Sequence, residues 1–395
     1  MSVSAPATLD REQRELLRAR LRAIGFDEVH FAQAAPAGGA ALRQWLDAHH
    51  HADMAWIERS AEKRGDVERV LAEARSVIVL GVNYWSGAAV DSRRRKGGAP
   101  AWARYAVHED YHDTMKPGLI AAGKAVEEIA GLTGADYRCY TDTGPVLERG
   151  WAARAGLGFR GKNGMLISKI HGNWLFLATL VTRAVIEPDD PLRKHLHTGA
   201  DEPAGLLCGK CTRCIDACPT SAILEPGKVD ARRCISYQTI ENKGVIPRKL
   251  RAGIGDRVYG CDICLEVCPW NRFAQEGRKL LLVARHDLAG VSLRDLLELT
   301  TEGYVTLFRR TAVKRLKLTG LLRNACVVAG NSGDRSLVPS LVRLVAHASP
   351  LVRAHAVWAV QRLAGAEAVD LLATTRAGET NEQVLTEYAE AEPRG

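Results

Sequence analysis

The chain has 395 residues, of which 46% are hydrophobic and 25% charged, which is the composition of a folded globular protein. No apolar run approaches the roughly 18 residues that a membrane-spanning helix needs, and the first residues lack the apolar core of a signal peptide. We therefore expect a cytoplasmic protein, whose length suggests two or three domains. The net charge of +8 favours a polyanionic partner such as a nucleic acid.

Hydrophobic periodicity over the first 200 residues predicts helices that alternate with strands. Leucines at helical spacing predict the first helix, with Thr8 or Asp10 as its N-cap and Gly25 as its stop. Continuous apolar runs predict buried strands. The predicted helices are 9–24, 39–49, 66–74, 111–129 and 146–155, and the predicted strands are 26–32, 76–85, 137–141 and 173–182. This pattern indicates a layered α/β domain over residues 1–200.

The stretch after the predicted strand 137–141 combines an acidic residue with a Gly-rich turn. Asp142 ends the strand, and four glycines between residues 156 and 164 follow the next predicted helix. Glycine at this density lets the backbone approach a ligand closely. Two roles are open for Asp142: capping the helix 146–155, or acting as an acid in a ligand site.

Eight of the ten cysteines lie between residues 208 and 268. The first four form the pattern C-x2-C-x2-C-x3-C-P, by which bacterial ferredoxins bind [4Fe–4S] clusters. Cys261, Cys264 and Cys268 repeat the pattern without its first cysteine, and Cys234 can supply the missing thiolate. A disulfide framework suits small secreted domains instead, and zinc sites do not usually show this repeat. Residues 201–280 are therefore predicted to form a ferredoxin-like domain with two [4Fe–4S] clusters.

The ligands of each cluster follow from the ferredoxin arrangement. In that arrangement three closely spaced cysteines bind one cluster, and the fourth binds the other. The predicted ligands of the first cluster are Cys208, Cys211, Cys214 and Cys268. The predicted ligands of the second cluster are Cys218, Cys234, Cys261 and Cys264.

Residues 281–395 are predicted to be helical. Two apolar helical segments align at a spacing of 30 residues, so that Arg323 matches Arg353. Each segment would pair with a second helix, as in HEAT-like α-solenoid units, and a plain helical bundle is the alternative. The predicted helices are 321–334, 338–347, 351–365 and 366–376.

The α/β domain lacks the usual cofactor motifs. It has neither G-x-G-x-x-G after a strand nor a Walker A motif, so no dinucleotide or nucleotide site is predicted. It also lacks the D-x-H-x-x-G pattern that holds cobalamin through a histidine. Asp110 and His112 supply the first half of that pattern, but Met115 stands where glycine would be needed.

Several stretches together resemble the epoxyqueuosine reductase family, and the resemblance covers essentially the whole chain. It is carried by the eight cysteines and by ARYAVHEDYHDTMK (103–116), DTGPVLERGWAARAGLGFRGKNGMLIS (142–168), CISYQTIENKG (234–244) and GLLRNA (320–325). The resemblance implies an α/β cobalamin-binding domain like those of nitroreductases and reductive dehalogenases, followed by the ferredoxin-like domain and the HEAT-like region. It also implies base-off cobalamin without a protein histidine on cobalt, which agrees with the incomplete D-x-H-x-x-G pattern.

The implied reaction removes the epoxide oxygen of epoxyqueuosine at the wobble position of a tRNA with a GUN anticodon, giving queuosine. It consumes two protons and two electrons, the electrons coming from an external low-potential donor. Asp142 aligns with the family's acid, and burial beside the corrin would raise its pKa enough for proton donation. Asp110 and His112 are predicted as acid–base or substrate contacts, with the start of a surface helix as the alternative.

The resemblance also implies cofactor and tRNA contacts. The predicted cobalamin contacts are Tyr105, Asp142, Lys162, Asn163, Leu166, Ser236, Cys261 and Asp262, although Lys162 could equally be a solvated turn lysine. Residues 309–323 hold six basic residues and no acidic one, and residues 243–251 hold four basic residues, which fits neutralisation of phosphates. The predicted tRNA contacts are Lys243, Arg248, Lys249, Arg309, Arg310, Lys314, Arg315, Lys317 and Arg323.

Two other functions remain open at the level of the sequence. A reductive dehalogenase would share the corrinoid domain and the clusters, but these enzymes usually carry a twin-arginine signal, which the first residues lack. A ferredoxin-type electron carrier would leave some 200 residues of α/β domain unexplained. Because no symmetric apolar surface is evident, we expect a monomer.

Overall fold

The computed structural model describes residues 7–35, 38–85, 87, 99–192 and 203–390. The strands in these residues are β1 (Glu28–Gln33), β2 (Ser76–Asn83), β3 (Ala101–Trp102), β4 (Tyr137–Tyr140), β5 (Gly158–Arg160), β6 (Leu166–Ser168), β7 (Leu175–Thr182), β8 (Ile223–Glu225), β9 (Lys228–Val229) and β10 (Arg257–Tyr259). The α-helices are α1 (Arg11–Ile24), α2 (Gly39–Asp47), α3 (Ala55–Arg59), α4 (Ala61–Gly65), α5 (Tyr111–Thr114), α6 (Lys116–Ala130), α7 (Glu148–Arg154), α8 (Arg213–Asp216), α9 (Ile235–Ile240), α10 (Arg248–Ile254), α11 (Ile263–Glu266), α12 (Leu293–Leu297), α13 (Thr301–Phe308), α14 (Lys317–Ser332), α15 (Val338–Val345), α16 (Pro350–Ala364), α17 (Ala368–Gly378) and α18 (Glu382–Ala389).

Internal contacts divide the chain into two compact units, each assembled from three segments. The first unit comprises residues 1–87, 110–231 and 263–283, and the second comprises 88–109, 232–262 and 284–395. These units do not coincide with the contiguous domains 1–200, 201–280 and 281–395, which stay a prediction. The boundary predicted at residue 200 lies outside the described residues.

The first unit is built on a four-stranded sheet in the order β1-β2-β7-β4. All three strand pairs are antiparallel, and every residue of β2 is buried, as its continuous apolar sequence predicts. α1 begins with a capping box, in which the Asp10 side chain accepts from the Gln13 backbone and Gln13 bonds back. Of the two predicted caps, the structure therefore selects Asp10.

One predicted helix of the first unit is wrong. Residues 66–74 form only a single 3-10 turn, Val67–Arg69, capped by Asp66. Val67, Leu71 and Ala74 are all buried in the core, and Glu73 takes a φ of 61°. The chain must turn there because β2 begins at Ser76, and a regular helix would leave no room for that reversal.

The second unit is mainly helical, with α14 and α16 at its buried centre. Both helices bury residues on nearly every face, and α15, α17 and α18 pack against α16. The helices predicted at 321–334, 338–347, 351–365 and 366–376 are therefore confirmed as α14 to α17. A short parallel pairing joins β10 to β3 in the same unit. Within the described part of the chain, no helix is both long enough and apolar enough to cross a bilayer.

Candidate active site

Asp142 lies directly after β4, the edge strand of the sheet. Its φ of 58° falls in the left-handed region, which few residues other than glycine, asparagine and aspartate adopt. The turn also requires Gly144, since a Cβ atom there would lie 2.3 Å from Cγ of Tyr140. Such a locally strained turn is typical of functional sites, and it holds the acid at the strand end.

Two side chains of α5 contact the carboxylate of Asp142. The hydroxyl of Tyr111 donates a hydrogen bond to Oδ2 at 2.7 Å, and Nε2 of His112 lies 3.4 Å from the same oxygen. The Tyr111 ring stacks on Phe176 of β7 and on His112, with centroid distances of 4.3 and 4.0 Å. The structure thus brings Asp142 to the predicted Asp110–His112 pair and adds Tyr111, which the sequence reasoning missed.

Asp110 determines the charge and the orientation of His112. The Asp110 side chain is 3% exposed, and its Oδ1 accepts from the His112 backbone at 3.2 Å and lies 2.7 Å from ring Nδ1. Burial acts to lower the pKa of His112, but the carboxylates of Asp110 and Asp142 outweigh it and raise the pKa to about 9. His112 is therefore a cation at neutral pH, positioned between two carboxylates.

The carboxylate of Asp142 faces solvent, and its burial beside a corrin stays a prediction. Its side chain is 58% exposed, so the protein itself does not desolvate it. The hydroxyl of Tyr111 donates to this carboxylate, and His112, with a pKa of about 9, carries a proton beside it.

Glu148 is a further acid at this site that the sequence reasoning missed. It begins α7, and its Oε1 atom is buried without a hydrogen-bond partner among the described residues. Burial raises the pKa of Glu148 to about 7, and the negative charge of Asp142 adds to the rise. A glutamate in the first turn of a helix ordinarily indicates only a favourable dipole interaction, so no local sequence signal reveals this burial.

The four predicted ligands of the first cluster surround one cavity of about 180 Å³ in the first unit. Burial, together with the charges of Cys208 and Cys268, raises the pKa of the Cys214 thiol to about 11. The volume is roughly six times that of a water molecule in the liquid, so a compact inorganic core fits among the thiols. The cavity is lined by Lys162, Asn163, Ile167, Cys208, Cys211, Arg213, Cys214, Cys268, Pro269 and Trp270.

The predicted ligands of the second cluster are divided between the two units. Cys218 and Cys264 belong to the first unit, and Cys234 and Cys261 belong to the second. All four side chains are partly exposed, and Cys218 Sγ accepts a hydrogen bond from the Ala222 backbone at 3.3 Å. The joint ligation of a cluster by these four residues stays a prediction.

Three predicted cobalamin contacts, in the turn between β5 and β6 and at the start of β6, have other partners. The ammonium of Lys162 donates to two backbone carbonyls of the first-cluster loop, at 2.8 and 3.1 Å. The amide of Asn163 is bound within the protein, to Asn173 at 2.9 Å and to two backbone groups. Leu166 is 6% exposed and packs in the core. Lys162 is thereby bound to the first-cluster loop, and contact of these three residues with cobalamin stays a prediction.

The other predicted cobalamin contacts lie in the second unit. Asp262 is buried and accepts a hydrogen bond from the Arg104 backbone at 2.6 Å, so its role is at least partly structural. Tyr105, Ser236 and Cys261 are half-buried. These three residues stay candidates for cofactor contact.

The predicted tRNA contacts separate by exposure. Arg323 is fully buried, and its guanidinium donates to the backbone carbonyls of Asn242, Gly244 and Gln238. Its prediction as a tRNA contact is therefore wrong, because its charge does not reach the surface. Arg248 is half-buried and binds Glu387 at 2.6 Å. The exposed residues of the set are Lys243, Lys249, Arg309, Arg310, Lys314, Arg315 and Lys317.

Comparisons with known families agree with the cysteine-lined cavity and the helical repeats. Residues 207–271 match the family described as "4Fe-4S double cluster binding domain", and residues 319–391 match "HEAT repeats". These matches confirm the predicted iron–sulfur and repeat regions and place the chain among proteins that combine a double-cluster domain with HEAT repeats. Residues 64–143 match "Epoxyqueuosine reductase QueG, DUF1730".

Individual relatives extend this likeness over most of the chain. An epoxyqueuosine reductase of Cyclobacterium marinum is 38% identical over 76% of this chain and 92% of its own length. One of Vibrio cholerae is 35% identical over 86% of this chain and 87% of its own length. A crystal structure of epoxyqueuosine reductase with an epoxyqueuosine-modified tRNA-Tyr stem loop is 27% identical and has a TM-score of 0.81, covering 96% of this chain and 97% of that one. This chain belongs to the epoxyqueuosine reductase family, which decides among the three functions that the sequence left open.

Proposed function

We propose that this chain removes the epoxide oxygen of epoxyqueuosine in tRNA and leaves the cyclopentene of queuosine. The observation that carries the proposal is the His112 cation held between Asp110 and Asp142, in a chain of the epoxyqueuosine reductase family. The reaction takes up two electrons and two protons and releases the oxygen as water. The electrons come from an external low-potential donor.

The side chains around Asp142 supply the protons. His112 passes its proton across the 3.4 Å contact to the carboxylate of Asp142, which delivers it to the departing oxygen. Because the pKa of His112 is about 9, this reservoir stays filled at neutral pH. Asp110 holds the opposite ring nitrogen, so the proton on Nε2 faces Asp142. The second proton enters from solvent through the same pair.

The cofactors that we propose are two [4Fe–4S] clusters and base-off cobalamin, which when bound supply electrons to the substrate at low potential. Cys208, Cys211, Cys214 and Cys268 would hold the first cluster, and their cavity fits it. The second cluster would use Cys218, Cys234, Cys261 and Cys264. Of the predicted cobalamin contacts, Tyr105, Ser236 and Cys261 are half-buried and Asp142 is exposed. Their side chains can therefore reach a ligand.

A tRNA substrate requires phosphate contacts and an unstacked anticodon base. The exposed residues Lys249, Arg309 and Lys317 of the second unit make no ion pair within the described residues and are proposed to bind phosphates. Arg310 and Arg315 lie within ion-pair distance of Glu109 and Glu241, at 3.7 and 3.1 Å, so they contribute less net charge.

The test supplies epoxyqueuosine-containing tRNA and a strong reductant to the protein reconstituted with iron, sulfide and cobalamin, and examines the digested nucleosides. We expect conversion to queuosine. Asp142→Asn should retain iron and corrin at wild-type levels but lose turnover by at least a hundredfold. The matched control is Asp113→Asn, which removes an exposed carboxylate from the neighbouring α5. An intact, fully loaded protein that leaves epoxyqueuosine unchanged would disprove the proposed function.

A further inference from the structure

Lys162 is fixed in an unusual place for a turn lysine. Its ammonium donates to the carbonyls of Gly209 and Cys211, at 2.8 and 3.1 Å, and these carbonyls belong to the loop that carries the ligands of the first cluster. Gly205 packs against its aliphatic stem, where a Cβ atom would lie 2.6 Å from Cγ of Lys162. The hydrogen bonds of the ammonium and the packing of the stem against Gly205 therefore fix the position of the positive charge.

The charge of Lys162 is not neutralised by a carboxylate. No carboxylate of the described residues lies within ion-pair distance of its ammonium, and the cavity lining contains two cations and no acid. The second cation, Arg213, is exposed, whereas Lys162 is half-buried. Because water and salt screen exposed charges more strongly, Lys162 acts on the cavity more than Arg213 does.

A fixed cation beside an iron–sulfur cluster changes its reduction potential. A [4Fe–4S] cluster with four thiolates is an anion, and reduction by one electron adds a further negative charge without a proton. Nearby positive charge stabilises the reduced form more than the oxidised form and so raises the potential. We infer that Lys162 raises the reduction potential of the cluster held by Cys208, Cys211, Cys214 and Cys268.

This inference rests on the cluster ligation in the proposed function but not on the reaction with tRNA. The test is a redox titration of the anaerobically reconstituted full chain with dithionite, followed by electron paramagnetic resonance. Lys162→Gln keeps an amide that can bind the loop carbonyls but removes the charge, and Lys162→Arg keeps the charge. The control Arg213→Gln removes the exposed cation from the same cavity.

We expect Lys162→Gln to lower one of the two midpoint potentials by roughly 59 mV, which is a tenfold change in the equilibrium constant of a one-electron reduction. Lys162→Arg should stay close to wild type, and Arg213→Gln should shift the same potential less. Two unchanged potentials in a fully loaded Lys162→Gln protein would overturn the inference. Loss of four irons in that variant would also overturn it, because Lys162 would then only build the loop. If the variants show these shifts but the fully loaded wild-type protein does not convert epoxyqueuosine in tRNA, only the proposed function is refuted.

Discussion

Nε2 of His112 lies 3.4 Å from Oδ2 of Asp142, so an imidazolium stands beside the carboxylate that meets the substrate in the proposed reaction. The opposite ring nitrogen lies 2.7 Å from the buried Asp110. One histidine therefore joins a buried carboxylate to an exposed one. In the proposed reaction, the protonation of His112 therefore controls the proton supply to Asp142.

Replacing Asp110 by asparagine should shift the pH dependence of turnover. Because the pKa of His112 is raised to about 9, the stabilisation that its charged ring contributes to the folded protein is complete below the ordinary pKa of 6.5. That stabilisation is lost as the pH rises through 9 and the ring loses its proton. We expect the alkaline limb of kcat to lie near pH 9 in the wild type and to move toward neutral pH in Asp110→Asn. NMR titration of the His112 ring measures the same change directly. Equal His112 titration curves in the two proteins would contradict the assigned role of Asp110.

Tyr111→Phe removes one hydrogen bond and keeps the stacked ring. Hydrogen bonds to charged groups are worth about 1.5–3 kcal/mol, so losing the 2.7 Å contact to Asp142 should lower kcat roughly tenfold or more. The KM for tRNA should change little, because the residues that we propose to bind phosphates belong to the second unit. Tyr84→Phe is the matched control, since Tyr84 also packs on Phe176. A lowered kcat in both variants would point to general disturbance of the core instead.

The sequence predicts those features that depend on local spacing. The spacing of the cysteines predicts which of them bind each cluster, and the cysteines predicted for the first cluster line one cavity. Asp110, His112 and Asp142 could be proposed singly, but their meeting depends on the packing of Tyr111 of α5 against Phe176 of β7, which no spacing reveals. The contribution of Tyr111 and the burial of Glu148 were missed for the same reason.

The sequence of a basic stretch does not show which of its side chains are buried. Arg323 and Arg309 belong to one run of positive residues, yet Arg323 is fully buried in α14 and Arg309 is exposed. The middle of α14 is surrounded on nearly every face, so the guanidinium of Arg323 binds backbone carbonyls instead of phosphates. The bond of Lys162 to the first-cluster loop was not predicted either, because a lysine in a Gly-rich turn gives no sign of a partner 47 residues away.

Arg323 and Arg309 should therefore respond oppositely to substitution. Arg323→Met leaves buried carbonyls without donors, and each unsatisfied group costs about 1–3 kcal/mol, so the free energy of unfolding should fall by roughly 3 kcal/mol or more. Arg309→Gln should leave stability unchanged but lower the slope of log affinity for tRNA against log salt by roughly one. Denaturant unfolding and salt-dependent binding measure the two effects. A stable Arg323→Met protein with a reduced salt slope would restore Arg323 to the tRNA surface.

Glu28 should make the first unit sensitive to acid. Its buried carboxylate lies 3.1 Å from Nε2 of His30 and 3.2 Å from Nε2 of His171. Burial acts to raise the pKa of Glu28, but the two histidines outweigh it and lower the pKa from 4.5 to about 2. A lowered pKa contributes stability that is complete above pH 4.5 and is lost as the pH falls through 2.

The fall in pKa corresponds to roughly 3 kcal/mol, so Glu28→Gln should be less stable than the wild type by about that amount near pH 6. The difference should narrow below pH 4.5 and vanish below pH 2, where the wild-type side chain is neutral in the folded protein too. Denaturant unfolding followed by near-UV circular dichroism across this range measures it. Glu12→Gln, which alters an exposed glutamate of α1, is the control. A stability difference that stays constant from pH 6 to pH 2 would show that shape, and not charge, accounts for the effect.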